Sequence, residues 1–197
     1  QTCALPICEG CKVVICSRTQ RHVDEAAERI RAQTGADVLA VECDVSREEG
    51  IRQLVDACVA EFGGVEIALH NAGGPPAGRF SEISEGQWQK AFDLNLMSFT
   101  RLVQAVVPEM KKSGYGRILT IASSSIREPI PNLVLSNAMR TGVHGLAKTL
   151  SRELAPEGIL VNVIAPGRIA TERIDELDQA AATRRSLSVE EIRAESR

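Results

Sequence analysis

The stretch "GRILTIASSSI", residues 116–126, opens with an apolar run of strand length and closes on three serines. Within "RILTIA" (117–122) the apolar residues are nearly continuous, the pattern of a strand covered on both faces. Four further runs share it: "KVVIC" (12–16), "DVLAVE" (37–42), "VEIALH" (65–70) and "ILVNVIA" (159–165). Helix-length amphipathic segments at about 20–34, 47–62, 85–112 and 131–156 separate the runs. Strand, helix, strand in this order predicts a parallel sheet with right-handed crossovers, a doubly wound α/β fold. No internal repeat or low-complexity linker divides it, so a single domain is expected.

Helix signals sharpen the third and fourth segments. Ser84 precedes "EGQWQKAFDLNLMSFTRLVQAVVPEMKK", in which Trp88, Phe92, Leu96 and Phe99 recur at turn spacing and Lys111 and Lys112 sit near the negative end of the dipole. Trp88 reads as core. In the fourth segment Gly142 and Gly145 would weaken an isolated helix, so they imply close backbone packing against another helix, as at a subunit interface. A dinucleotide fold begins with a strand and a Gly-rich turn that holds the pyrophosphate. Here "CEGCKVVIC" starts directly at what reads as the second strand, and "SLSVEEIRAESR" ends the chain as a polar helical segment with no final strand. The domain is thus expected to lack its first strand with the Gly-rich loop, and its last strand.

The totals narrow the function. With 197 residues, 44% hydrophobic content and 25% charge, the composition is globular rather than disordered. A net charge of −3, with no Lys/Arg cluster on one predicted face, gives no field for nucleic acid. No apolar run reaches bilayer-spanning length and no signal-peptide pattern opens the chain, so the expected location is the cytoplasm, away from membranes. Cys3-x4-Cys8-x2-Cys11 has the spacing of an iron–sulfur loop. However, "QTCALPI" is similar to the translation of a sequencing-library adapter on a metagenomic read, which makes residues 1–8 an expected non-native leader and a metal site unexpected. Cys11, Cys16, Cys43 and Cys58 read as small buried hydrophobes in a reducing compartment.

From "CSR" near residue 17 to "PGRIATE" near residue 172, the chain resembles the short-chain dehydrogenase/reductase family, in particular its 3-oxoacyl-carrier-protein reductase-like branch. The resemblance implies a Rossmann-like domain over 9–197, with 170–197 as substrate lid, and a homodimer or homotetramer. In that family's sheet order the absent first strand lies between the strands at 12–16 and 65–70. Ser17 and Arg18 stand where the family reads the adenosine ribose; a hydroxyl followed by a guanidinium suits the 2′-phosphate of NADP(H), with NAD(H) as the lesser alternative. "ECDVS" places Asp44 and Val45 at the adenine pocket, although Asp44 also reads as a helix cap before "REEG". "LHNAGG" keeps Asn71, Ala72 and Gly73 of the ribose turn, with His70 replacing a first asparagine and read as a hydrogen-bonded strand-end residue. Asn95 in "FDLNLMS" matches the helix-interrupting asparagine of the proton relay, and "VNVIAPGRIATE" matches the segment over the nicotinamide with Pro166, Gly167, Ile169 and Thr171.

The resemblance makes Ser123 the catalytic serine, able to hydrogen-bond a substrate oxygen as charge develops, with Ser124 and Ser125 one and two residues away. Thirteen residues on, where the family carries Tyr-x-x-x-Lys, "LVLSNAMRTGVHGLAKTL" (133–150) holds Ser136 and Arg140. The i, i+4 spacing keeps both on one helix face. A serine hydroxyl is far less acidic than tyrosine's, so Ser136 is no direct substitute as proton donor. Arg140 supplies the lysine's positive charge and its ribose contact but does not give up a proton near neutrality. His144 reads as a helix-packing residue, and Tyr115, the single tyrosine, enters a strand at the end away from the cofactor. The reading is hydride transfer between NADP(H) and a small carbonyl or alcohol substrate. Its alternatives are an NADP(H)-binding protein without turnover and an isomerase or lyase of the same family.

Overall fold

The computed structural model describes residues 9–167, 169 and 172–195. Five strands, β1 (Val13–Ser17), β2 (Val38–Glu42), β3 (Ile67–His70), β4 (Gly116–Ile121) and β5 (Ile159–Ile164), lie close to the apolar runs. The helices are α1 (Gln20–Thr34), α2 (Glu48–Phe62), α3 (Glu85–Ala91), α4 (Ser98–Ser113), α5 (Val134–Glu153), α6 (Glu172–Arg185) and α7 (Val189–Glu195). Every strand pairing is parallel, as the alternating order dictates. The strands form two sheets, β1-β2 and β3-β4-β5. Among the described residues β1 and β3 do not pair.

The two sheets meet through α2, which packs on β1 and β2 and also against α4. Ile51 and Val55 of α2 join Phe99, Val106 and Met110 of α4, Ile118 of β4 and Ile159 of β5 in one core. Helices α4 and α5 cover one face of β3-β4-β5. The other face corrects the expectation of strands buried on both sides: Ile67, Leu160 and Ile164 are 43%, 45% and 44% exposed. The continuous apolar runs therefore overstate what is covered here.

Ser84 caps α3 as expected, its Oγ accepting from Gln87 N–H at 3.4 Å while Gln87 Oε1 accepts from Ser84 N–H at 2.9 Å. The long third segment is not one regular helix: Phe92–Met97 takes π-helical form, with Ser98 N–H bonded to Asp93 C=O. This splits the expected stripe. Ala91 and the half-buried Trp88 pack with Leu135 and Met139 in a second, smaller cluster, whereas Phe99 enters the main core and Phe92 is left 37% exposed. Among the described residues the expected close packing against another helical segment is seen at Gly142 but not at Gly145. A Cβ on Gly142 would meet only the Leu96 side chain at 3.4 Å, and one on Gly145 would meet nothing within 4 Å.

His70 ends β3 in the interior and stitches three elements together. Its Nδ1 lies 2.9 Å from Thr120 Oγ1 of β4 and its Nε2 lies 2.8 Å from Ser98 Oγ of α4. Ser98 Oγ donates its only proton to Leu94 C=O at 2.5 Å. By that assignment Nε2 carries the imidazole proton and Nδ1 accepts from Thr120. Burial first, and then the charge of Arg140, push the His70 pKa down to about 4. The unfolded chain therefore takes up this proton below about pH 6.5 while the folded chain does not, so stability is lost as pH falls from about 6.5 toward 4. The expected loss is roughly 3 kcal/mol, read as the extra acid sensitivity of the parent over His70→Asn in urea unfolding between pH 7.5 and 4.

Candidate functional site

Every candidate cofactor residue that the structure describes closes a strand at its carboxyl end, follows such an end or, like Arg140, bonds to one. Ser17 closes β1, where its half-buried Oγ accepts from Thr19 N–H at 3.4 Å, and Arg18 beside it is exposed. After β2, Asp44 Oδ1 accepts from Ser46 N–H at 3.0 Å and Ser46 Oγ–H at 2.7 Å, a tight turn into α2. Burial raises the Asp44 pKa, yet the Ser46 hydrogen bonds and the charges of Arg18 and Arg47 outweigh it and hold the carboxyl below its ordinary value. Val45 packs half-buried against the main core. The first turn of α2 lies hard against this turn: a Cβ on Gly50 would sit 2.2 Å from Asp44 O, which explains the glycine of "REEG".

The second group gathers at the ends of β3 and β4 around Arg140, which is only 7% exposed. One guanidinium nitrogen, Nη2, donates to Ala72 C=O at 3.1 Å, and Nη1 donates to Ile121 C=O. Burial lowers its pKa from the ordinary arginine value. Arg140 Nε is buried without a hydrogen-bond partner. Asn95, in the π segment and fully buried, donates Nδ2–H to Ala91 C=O at 3.2 Å, and its Oδ1 is likewise unpartnered. In the turn after β4, Ser123 Oγ accepts from Ser125 N–H at 3.2 Å, Ser124 is exposed and Ser125 buries an Oγ without a partner. Ser136 is half-buried, one turn before Arg140 on α5, and has no hydrogen-bond partner among the described residues. Helix α5 packs against the 124–126 turn, which brings the Ser123 and Ser136 segments to one place.

The remaining candidates are less enclosed. Ala72 is buried between the exposed Asn71 and Gly73, and after β5 Pro166 is half-buried, Gly167 exposed and Ile169 58% exposed. Thr171 lies outside the described residues, as do Cys3 and Cys8. Among the described residues no three His, Cys, Asp or Glu side chains gather as a metal set, and no helix is long and apolar enough to cross a membrane. Tyr115 sits at the amino end of β4 under the Arg117 guanidinium, 4.1 Å from its ring centroid, far along the strand from Ser123. His144 is half-buried with Nδ1 unpartnered.

Sequence reasoning missed Arg101. Its Nη1 donates to Ser46 C=O at 2.5 Å and its Nη2 lies 3.5 Å from Asp93, so it ties the turn after β2 to the π segment. It also missed Ser98 and Thr120 as partners of His70. Polar residues at otherwise core-facing positions of "MSFTRLV" and "RILTIA" were the available signal.

The family description "short chain dehydrogenase" matches residues 1–182. The human protein "Dehydrogenase/reductase SDR family member 4" is 37% identical over 164 residues, which are 83% of this chain and 59% of that protein. The chain thus spans about three fifths of the length of such curated relatives. L-sorbose reductase of Gluconobacter frateurii, solved with NADPH and L-sorbose, superposes with a TM-score of 0.85 at 29% identity, over 90% of this chain and 67% of that one. A short-chain oxidoreductase of Pseudomonas aeruginosa PAO1, bound to NADPH and containing an atypical catalytic centre, gives 0.85 at 27% identity, over 91% of this chain and 70% of that one. Motifs, fold and these likenesses agree: the chain belongs to the short-chain dehydrogenase family.

Proposed function

We propose that the protein is an NADP(H)-dependent reductase or dehydrogenase acting on a small carbonyl or alcohol substrate, with a Ser136/Arg140 pair in place of tyrosine and lysine. The observation that carries this reading is Arg140, fixed by the Ala72 and Ile121 carbonyls at the ends of β3 and β4 with its Nε still unpartnered. Buried polar atoms rarely stay without partners. Arg140 Nε, Asn95 Oδ1 and Ser125 Oγ together fit a polar ligand and its bound water at the carboxyl end of a doubly wound sheet. NADPH in the sorbose reductase and in the Pseudomonas oxidoreductase supports the same cofactor class.

In this reading Ser17 and Arg18 hold the 2′-phosphate, Asp44 and Val45 border the adenine, and the turn at Asn71, Ala72 and Gly73 carries the nicotinamide ribose with Arg140. Pro166, Gly167 and Ile169 border the nicotinamide. The cofactor, when bound, supplies or accepts hydride. Ser123 donates a hydrogen bond to the substrate oxygen, where negative charge grows during reduction. Asn95 Oδ1 and Ser136 Oγ hold the water that brings the proton, since neither serine nor a guanidinium is an acid near neutrality. A branch close to 3-oxoacyl-carrier-protein reductases and a homo-oligomeric assembly belong to the same proposal. A second reading, cofactor binding without turnover, is favoured by Ser136 alone, because it removes the side-chain acid.

Two measurements on the full-length protein test this. Arg18→Ala is expected to weaken NADPH binding by about 10–100-fold while leaving NADH binding nearly unchanged; equal losses for both would remove the 2′-phosphate assignment. NADPH oxidation is then followed with a panel of aldehydes, ketones and 3-oxoacyl thioesters. The parent is expected to turn over slowly, and Ser136→Tyr/Arg140→Lys to gain about 10²–10⁴-fold. If the parent binds NADPH and stays silent while only the double variant reacts, the reductase reading gives way to the non-catalytic one.

A further inference from the structure

Two cysteines read as inert hydrophobes lie at the ends of neighbouring strands, next to the turns proposed to hold the adenosine. Cys16 of β1 pairs in register with Val41 of β2, and Cys43 lies two residues beyond Val41, hence on the same side of the pleat. The ladder continues to this point, Cys43 N–H donating to Ser17 C=O at 2.9 Å. A hydrogen bond joins the two thiols. That bond lowers the Cys43 pKa from its ordinary value, against burial and the Asp44 carboxylate, which both raise it. Cys43 is 6% exposed, while Cys16 is half-buried and gives small oxidants a way in. Cys58 is the contrast, its thiol pushed up by burial and by Glu66.

We propose that Cys16 and Cys43 form an oxidisable dithiol whose disulfide displaces the turns at Ser17–Arg18 and Asp44–Val45. The consequence for the cofactor rests on the NADP(H) reading above. With a peroxide as oxidant, the Cys43 thiolate attacks one peroxide oxygen; an S–O bond forms, the O–O bond breaks, and the departing hydroxide is protonated to water. The Cys16 sulfur then attacks the sulfenic sulfur of Cys43. The S–S bond forms, the S–O bond breaks, and the hydroxyl leaves as water with the Cys16 proton. Two thiols and one peroxide thus give one disulfide and two waters, both electrons passing from sulfur to oxygen. On parallel strands about 4.8 Å apart with a rise of about 3.3 Å per residue, Cα atoms offset by two residues lie roughly 8 Å apart, whereas a disulfide holds its Cα atoms within about 7 Å. Closure must therefore draw the ends of β1 and β2 together, moving the residues that follow each cysteine, and the strained bond is readily reduced.

The test treats the full chain with hydrogen peroxide and maps it by non-reducing peptide mass spectrometry, with amide hydrogen exchange on the same samples. The expected result is a Cys16–Cys43 disulfide, reversed by dithiothreitol, with altered exchange at residues 17–19 and 44–46. In Cys16→Ser, where no partner remains, Cys43 is expected to accumulate as a sulfenic acid trapped by dimedone. Free thiols at both positions while Cys11 or Cys58 reacts would overturn the proposal, as would a disulfide that leaves exchange unchanged. An NADPH titration separates the two readings. Oxidation is expected to weaken binding at least tenfold, and unchanged affinity sinks the switch. If the reduced chain fails to bind at all, the cofactor assignment fails while the disulfide and exchange results still decide the dithiol.

Discussion

Burying a cation demands hydrogen-bond acceptors for its charge, and the site is arranged around that requirement at the Nη1 and Nη2 groups of Arg140. Burying a charge costs several kcal/mol unless hydrogen bonds compensate. Here backbone carbonyls from two neighbouring parallel strands share the burden, one at the end of β4 and one in the turn after β3. A planar fork can span both acceptors at once, which a single ammonium on a flexible stem does less rigidly. Helix α5 is thereby fastened to β3 and β4, and the position of Ser136 one turn earlier follows from that fastening. Burial first, and then the same charge, holds the neighbouring His70 imidazole neutral.

Much of this was legible in the sequence because it depends on local pattern. The five strands and the helices lie close to their apolar runs, and the candidate residues Ser123, Ser136 and Arg140 follow by counting from Gly116, while Asn95 follows from "FDLNLMS". What could not be read depends on how the elements meet. Periodicity says that Leu160 and Ile164 are apolar, not that their face is left open. A strand ending in histidine suggests a hydrogen bond, but not that Thr120 and Ser98, 50 and 28 residues away, provide it. The contact between Cys16 and Cys43 is set by register, since a shift of one residue would turn one thiol to the opposite face. Ser136 shows the opposite limit: sequence located it, and the geometry around it does not turn a hydroxyl into an acid.

The π segment at Phe92–Met97 has a further consequence for how one helix serves two purposes. In a regular α-helix Trp88 and Phe99, eleven residues apart, fall within about 20° of each other around the axis. A π turn absorbs one extra residue and rotates everything after it by roughly 100° relative to what came before. The chain therefore behaves as a crankshaft with two throws, the first bearing on the amino end of α5 through Leu135 and Met139, the second on the strands through Phe99 and Val106. Asn95 sits in the web between the throws, where the displaced backbone gives it a buried place that neither straight segment would offer.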